Sequence, residues 1–154
     1  MIERFERFSF AISEISYQWH KLSADEMKKY GLKSTHSVYI LTLLKYPEGL
    51  TAPQLCELCG KDKSDVSRMM AILEQKKLVN RESIYQNMYK GKYKLTEEGI
   101  AVAKSVQQSA ALVVEYAGKD MTEQERAIFY TALESIAVNL KALSTNGIPM
   151  EIER

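Results

Sequence analysis

Residues 50–81 read LTAPQLCELCGKDKSDVSRMMAILEQKKLVNR, and the punctuation and apolar spacing of this stretch decide the fold. Thr51 followed by Ala52 and Pro53 is a helix start, with proline in the first turn where its missing amide hydrogen costs nothing. The short helix this predicts, 52–59, ends at Gly60. Asp62 is placed to cap a second helix running to about Lys77, with Val66, Met69, Met70 and Leu73 turned inward. Two short helices joined by a tight glycine turn form a helix-turn-helix. After Leu78 the period changes. Residues 79–84 and 92–95 read as two short strands, and 85–91 as the tip of a hairpin in which Gly91 is available for a positive φ.

Outward from this segment the chain is mostly helix. Ile2, Phe5, Phe8, Ile12, Ile15, Trp19 and Leu22 recur at three- and four-residue intervals, which predicts one long amphipathic helix over 2–30, closed by Gly31. Ser34 or Thr35 can cap a helix carrying Val38, Leu41 and Leu44, apolar nearly all round and so expected at the centre, and stopping before Pro47. Thr96 caps a helix from Glu97 to about Ala117, with two glutamates favourably placed against its dipole. Gly118 ends it, and the capping box of Thr122 and Glu125 opens a last helix to about Leu143.

The net charge of +1 is unevenly distributed. Residues 61–94 hold nine bases against four acids, a charge of +5, while the rest of the chain carries −4. A basic concentration inside a near-neutral protein points to a surface that faces a polyanion, the alternative being a solvated stretch with chance bias. If Val66, Met69 and Leu73 face the core, Lys63, Ser64, Ser67 and Arg68 lie on the outer side of the first two turns, next to Lys61. Arg68 is the natural bidentate reader of guanine, and the serines let the backbone approach closely. Arg81, Lys90, Lys92 and Lys94 are spaced along the hairpin to neutralise phosphates or enter a minor groove. Tyr85, Tyr89 and Tyr93 could stack on sugars, but for Tyr85 and Tyr93 packing on the sheet is the expected role.

These residues resemble the MarR family of bacterial regulators over nearly the whole chain. The likeness is carried by Leu50-Thr51, residues 55–60, the run Lys63-Ser64-Asp65-Val66-Ser67-Arg68, then Leu73-Glu74, the run Lys77-Leu78-Val79-Asn80-Arg81, and Leu95-Thr96-Glu97-Glu98-Gly99. The interval from Arg81 to Thr96 also matches the family's wing length. Members commonly have an Asp-x-Arg in the wing, the arginine entering the minor groove and the aspartate orienting recognition-helix arginines. Asn87 and Tyr89 stand at those places, so Lys90 or Lys92 is expected to take over, with less geometric selectivity because an ammonium is a point charge.

The expected fold is therefore mainly α with a small β-hairpin wing: a winged helix-turn-helix with N- and C-terminal dimerisation helices. Residues 1–154 are read as a single MarR-like unit, with 34–96 the DNA-binding region, 97–118 a connecting helix, and 1–30 and 119–154 the dimerisation helices. The resemblance implies the dimer. It agrees with the apolar character of both ends, where Phe5, Phe8 and Ile12 answer Ile128, Phe129, Leu133, Ile136, Leu140 and Leu143. A twofold homodimer would set two recognition helices about one DNA turn apart on a pseudo-palindromic double-stranded site.

The resemblance also implies a small anionic or aromatic effector between the dimer helices and the reading head, for which Tyr17, His20, His36 and Tyr39 are the candidates, with Trp19 and Tyr46 nearby. Aromatic residues at helical spacing are more often core than pocket lining. Cys56 and Cys59 form a Cys-x-x-Cys at a helix end, where redox sensing competes with simple packing of a small hydrophobe. One such pair does not complete a tetrahedral zinc site, so no metal and no cofactor is expected.

The function expected is a sequence-specific DNA-binding transcriptional regulator, a repressor relieved by a small ligand or stress signal, with helix 62–77 in the major groove and the wing 81–94 on the adjacent backbone or minor groove. The alternative is a winged-helix protein-interaction module. An enzyme finds little support: no glycine-rich phosphate loop or Ser/His/Asp spacing stands out, and two histidines leave few groups for acid–base work near neutral pH. Glu3, Arg4, Glu6 and Arg7 interrupt the apolar run a signal peptide would need, and no segment approaches a membrane span, so a cytoplasmic location is expected.

Overall fold

The structure, a computed structural model, describes residues 2–84 and 87–149, with the side chains of 84 and 87–90 left out. Element order is α1 (Ile2–Lys28), a 3₁₀ turn (Ser34–His36), α2 (Ser37–Lys45), α3 (Ala52–Cys59), α4 (Lys63–Gln75), β1 (Val79–Ile84), β2 (Asn87–Leu95), α5 (Glu97–Ala117) and α6 (Glu123–Asn146). None of the described helices is long and apolar enough to cross a membrane. Two compact units divide the chain, Met1–Leu112 and Val113–Arg154, with the boundary inside α5.

In the first unit, α2, α3 and α4 enclose the core. Tyr39, Ile40 and Leu43 of α2, Leu55 of α3, and Val66, Met70 and Leu73 of α4 are buried, joined by Met27, Leu50, Leu78, Val79, Tyr93, Val102, Ala103 and Val106. Fully burying one such side chain contributes about 1.5–3 kcal/mol, so three helices of 8–13 residues, marginal in isolation, are held by packing.

The helix ends follow the local chemistry. Thr51 accepts the Gln54 amide while the Gln54 side chain accepts the Thr51 amide, and Gly60 closes α3 in the left-handed conformation. Asp62 accepts the Asp65 amide at 2.8 Å to open α4. Thr96 accepts the Gly99 amide and donates to the Lys77 carbonyl, tying the start of α5 to the end of α4.

Besides α1 ending at Lys28 instead of 30 and α6 running to Asn146 instead of about Leu143, three boundaries differ from expectation. Neither Ser34 nor Thr35 caps α2 directly; a 3₁₀ turn precedes it, in which the Lys33 amide donates to His36 Nδ1 at 3.0 Å and the Ser37 hydroxyl to the Ser34 carbonyl at 2.6 Å. α4 stops at Gln75 rather than Lys77, because Lys77 takes the left-handed conformation with φ +60° and lets the Leu78 amide return to the Leu73 carbonyl.

The third difference is in the hairpin. β2 begins at Asn87, five residues earlier than the strand expected at 92–95, and pairs antiparallel with β1 from Val79↔Leu95 to Glu82↔Lys92, with an irregularity before Ile84↔Asn87. Gly91 lies inside this strand and not in the left-handed region, so the positive φ expected of it is not found. Glycine is required there for closeness: a Cβ would meet the Glu82 carbonyl oxygen at 2.6 Å. Leu50 adds an isolated bridge to Tyr93, which fastens the hairpin stem to the loop before α3.

In the second unit, Arg126 organises the turn into α6. It donates to the Gly118 carbonyl at 3.0 Å and lies within 4 Å of the carboxylates of Glu115 and Glu123. Thr122 and Glu125 form the capping box that opens α6. No residue of α6 is buried.

Candidate nucleic-acid interface

The start of α4 presents a polar and basic face. Lys61, Asp62, Lys63, Ser64, Ser67 and Arg68 are all exposed, while Val66 and Met70 of the same helix are fully buried and Met69 partly so. The alternation follows from helical geometry: with residues 66, 70 and 73 fixed in the core, residues 63, 64, 67 and 68 must turn outward. The Arg68 side chain is 69% exposed, with one Nη 3.6 Å from Asp65 Oδ1. Asp65 is held from beneath, because its Oδ2 accepts the hydroxyl of the buried Tyr39.

The stem of the hairpin is less free than its charge suggests. The guanidinium of Arg81 lies 5.2 Å from the ring centroid of Tyr93, its neighbour across the strands, in a cation–π contact that leaves Nε buried. Lys94 pairs with Glu82 at 2.9 Å. Lys92 stands opposite Glu82 in the register and is partly buried. Tyr93 is buried at the stem, as expected of a sheet-packing tyrosine. Tyr85 and the side chains of Asn87, Tyr89 and Lys90 lie outside the described residues, and with them the tip of the wing.

The backbone is similar to those of many solved structures, three of which follow. One is a MarR family transcriptional regulator from Listeria monocytogenes complexed with 26mer DNA, 19% identical over 92% of this chain and 96% of that one, with a TM-score of 0.76. Another is the MepR–DNA complex of Staphylococcus aureus, 17% identical over 86% and 97%, also at 0.76. The third is a MarR transcriptional regulator from Methanosarcina mazei, 19% identical over 90% and 92%, at 0.78. The chain has the MarR-type winged-helix fold. No family model matches its sequence, and no curated protein is significantly similar to it in sequence, so the likeness is one of backbone.

Within this MarR-type fold the four effector candidates occupy two different environments. Tyr17 and His20 are exposed on α1, whereas His36 is 2% exposed and Tyr39 is closed off completely in the core. An open groove of the first unit is lined instead by Tyr30, Lys76, Leu78, Glu98 and Val102, and Tyr30 donates to Ser105 at 2.7 Å. Trp19 and Tyr46 are both exposed.

Cys56 and Cys59 are unpaired and half-buried against the core. The Cys59 thiol donates to Thr42 Oγ1 at 3.6 Å, and burial pushes it above the ordinary thiol range, away from the thiolate a redox sensor needs. Among the described residues no group of three or more His, Cys, Asp or Glu side chains could hold a metal.

The sequence located the outward face of α4 from periodicity alone. It missed the roles of Tyr39 and Asp65. Asp65 stands three residues before Arg68, a pairing that helical spacing could have revealed, but no local signal announces that its other oxygen meets a residue 26 positions away.

Proposed function

We propose that the protein is a sequence-specific double-stranded DNA-binding transcriptional regulator that acts as a homodimer. The observation that carries this is the exposed cluster of Lys61, Lys63, Ser64, Ser67 and Arg68 on the first turns of the second helix of a helix-turn-helix, in a fold that two other proteins use in complex with DNA. The N-terminal turns of α4 enter the major groove, where Arg68 reads a guanine and the serines allow close approach. Lys61 and Lys63 neutralise phosphates. The hairpin, with Lys90 and Lys92, lies along the adjacent backbone or minor groove, and Arg81 braces its stem against Tyr93.

The dimer brings two such heads to a pseudo-palindromic operator, and occupancy of that site represses transcription until a small ligand or stress signal releases it. The apolar residues left exposed on α1 and on α6 support dimerisation.

Fluorescence anisotropy against operator and random duplexes over a salt series tests the reading. Arg68→Ala is expected to weaken specific binding by about 1–3 kcal/mol and to relax the preference at one base pair of each half-site. Binding by the unaltered protein that ignores both salt and sequence would overturn the assignment.

A further inference from the structure

An acidic residue sits in the middle of the basic face of α4. Next to a DNA backbone its negative charge would oppose phosphate contact, yet Asp65 is tied by three contacts. Its backbone amide donates to Asp62, its Oδ1 lies 3.6 Å from an Nη of Arg68, and its Oδ2 accepts the Tyr39 hydroxyl. Tyr39 is anchored at the centre of the core on α2, with no exposed surface. Its ring has no freedom to swing away. A buried tyrosine hydroxyl needs a partner, and here the partner is the carboxylate at the foot of the exposed arginine.

Resting on α4 as the DNA-recognition helix, we propose that Asp65 is the positioning residue of Arg68, itself fixed by the Tyr39 hydroxyl, and that this relay directs Arg68 to a base edge in preference to a phosphate. Two physical effects act together. The carboxylate restrains a long side chain that would otherwise lose much rotamer entropy on binding, and it leaves the remaining guanidinium donors free for guanine O6 and N7. The same negative charge repels a phosphate but has far less effect on the neutral edge of a base. Sequence preference therefore rises while affinity for arbitrary DNA falls.

The experiment starts by selecting duplexes from a random pool with the unaltered protein, then compares affinities for the selected duplex, for the same duplex changed at the base pair whose preference Arg68→Ala abolishes, and for random DNA. Tyr39→Phe, which removes one oxygen and keeps the core volume, is expected to reduce discrimination at that base pair by about tenfold and at no other. In an Arg68→Ala background it should have no further effect. Asp65→Asn should lower the same discrimination and bind random DNA more tightly than the unaltered protein, a gain that mere damage to the fold does not produce. Asp65 lies at the part-exposed helix surface, so this variant carries the test alone should Tyr39→Phe unfold.

Full discrimination in both variants, with Arg68→Ala defective, would refute the relay and leave DNA reading intact. Unchanged discrimination in Arg68→Ala would refute the relay by removing Arg68 as the reader. If the unaltered protein selects no sequence, DNA reading and the relay fall together.

Discussion

His36 shows how burial turns one side chain into a pH-dependent element of stability. Its Nδ1 lies 3.0 Å from the Lys33 amide nitrogen and 3.2 Å from the Lys33 carbonyl oxygen, while its Nε2 is buried and has no hydrogen-bond partner among the described residues. Burial, more than the nearby charges of Lys33 and Lys76, pushes its pKa below the usual 6.5. The unfolded chain therefore binds a proton that the folded chain resists. By linkage, the contribution of His36 is fully present above about pH 6.5, declines as pH falls below that value, and levels off beneath the lowered folded-state value. Urea unfolding from pH 8 to pH 5 should show this decline, and His36→Asn, which keeps an acceptor for the Lys33 amide, should flatten it. An identical slope in the variant would mean that another group is responsible.

At the scale of an element, the end of α4 carries a local cost. Lys77 is the only described non-glycine residue with positive φ, at +60°, and it takes that conformation so that the chain can turn from α4 into β1. A Cβ is unfavourable in the left-handed region, whereas glycine adopts it freely. Lys77→Gly is expected to stabilise the protein by about 0.5–1 kcal/mol in chemical denaturation, since the contact made by this residue's carbonyl with Thr96 needs no side chain. A destabilised variant would show that the lysine side chain contributes more than its backbone strain costs. Gly99, in the first turn of α5, is constrained in the opposite sense. A Cβ there would lie 1.9 Å from the Leu78 carbonyl oxygen, so only glycine lets α5 approach the end of α4.

Across the whole molecule, apolar surface remains where a monomer has no use for it. In the first unit, Ile2, Phe5, Phe10 and Ile15 of α1 are each more than half exposed. In the second, Ile128, Phe129, Leu133, Ile136, Leu140 and Leu143 of α6 are all exposed. Covering the exposed part of these residues favours association, and the more of them a partner covers the better it offsets the freedom lost on binding. Sedimentation equilibrium is expected to give twice the chain mass at micromolar concentration. A double variant, Ile12→Asp with Leu133→Asp, should sediment as a monomer and lose more affinity for a duplex with two half-sites than for one with a single half-site. Monomeric behaviour of the unaltered protein would remove the dimer from the proposed function.

What the sequence determined by itself was most of the helix starts and the outward face of α4, which depend on neighbours within a few positions. Thr51, Asp62, Thr96 and Thr122 cap their helices, Gly60 closes α3, and the spacing of Val66, Met70 and Leu73 sends Lys63, Ser64, Ser67 and Arg68 outward, because capping and amphipathic spacing act within one or two turns. The tertiary structure decided which of the charged residues are free. Arg81 is drawn onto Tyr93, Lys94 onto Glu82, Gly91 is needed for closeness and not for φ, and Tyr39, one of the effector candidates, is buried with its hydroxyl on Asp65. These contacts join residues brought together by strand register or by helix packing. Their energies depend on distances that no local pattern encodes.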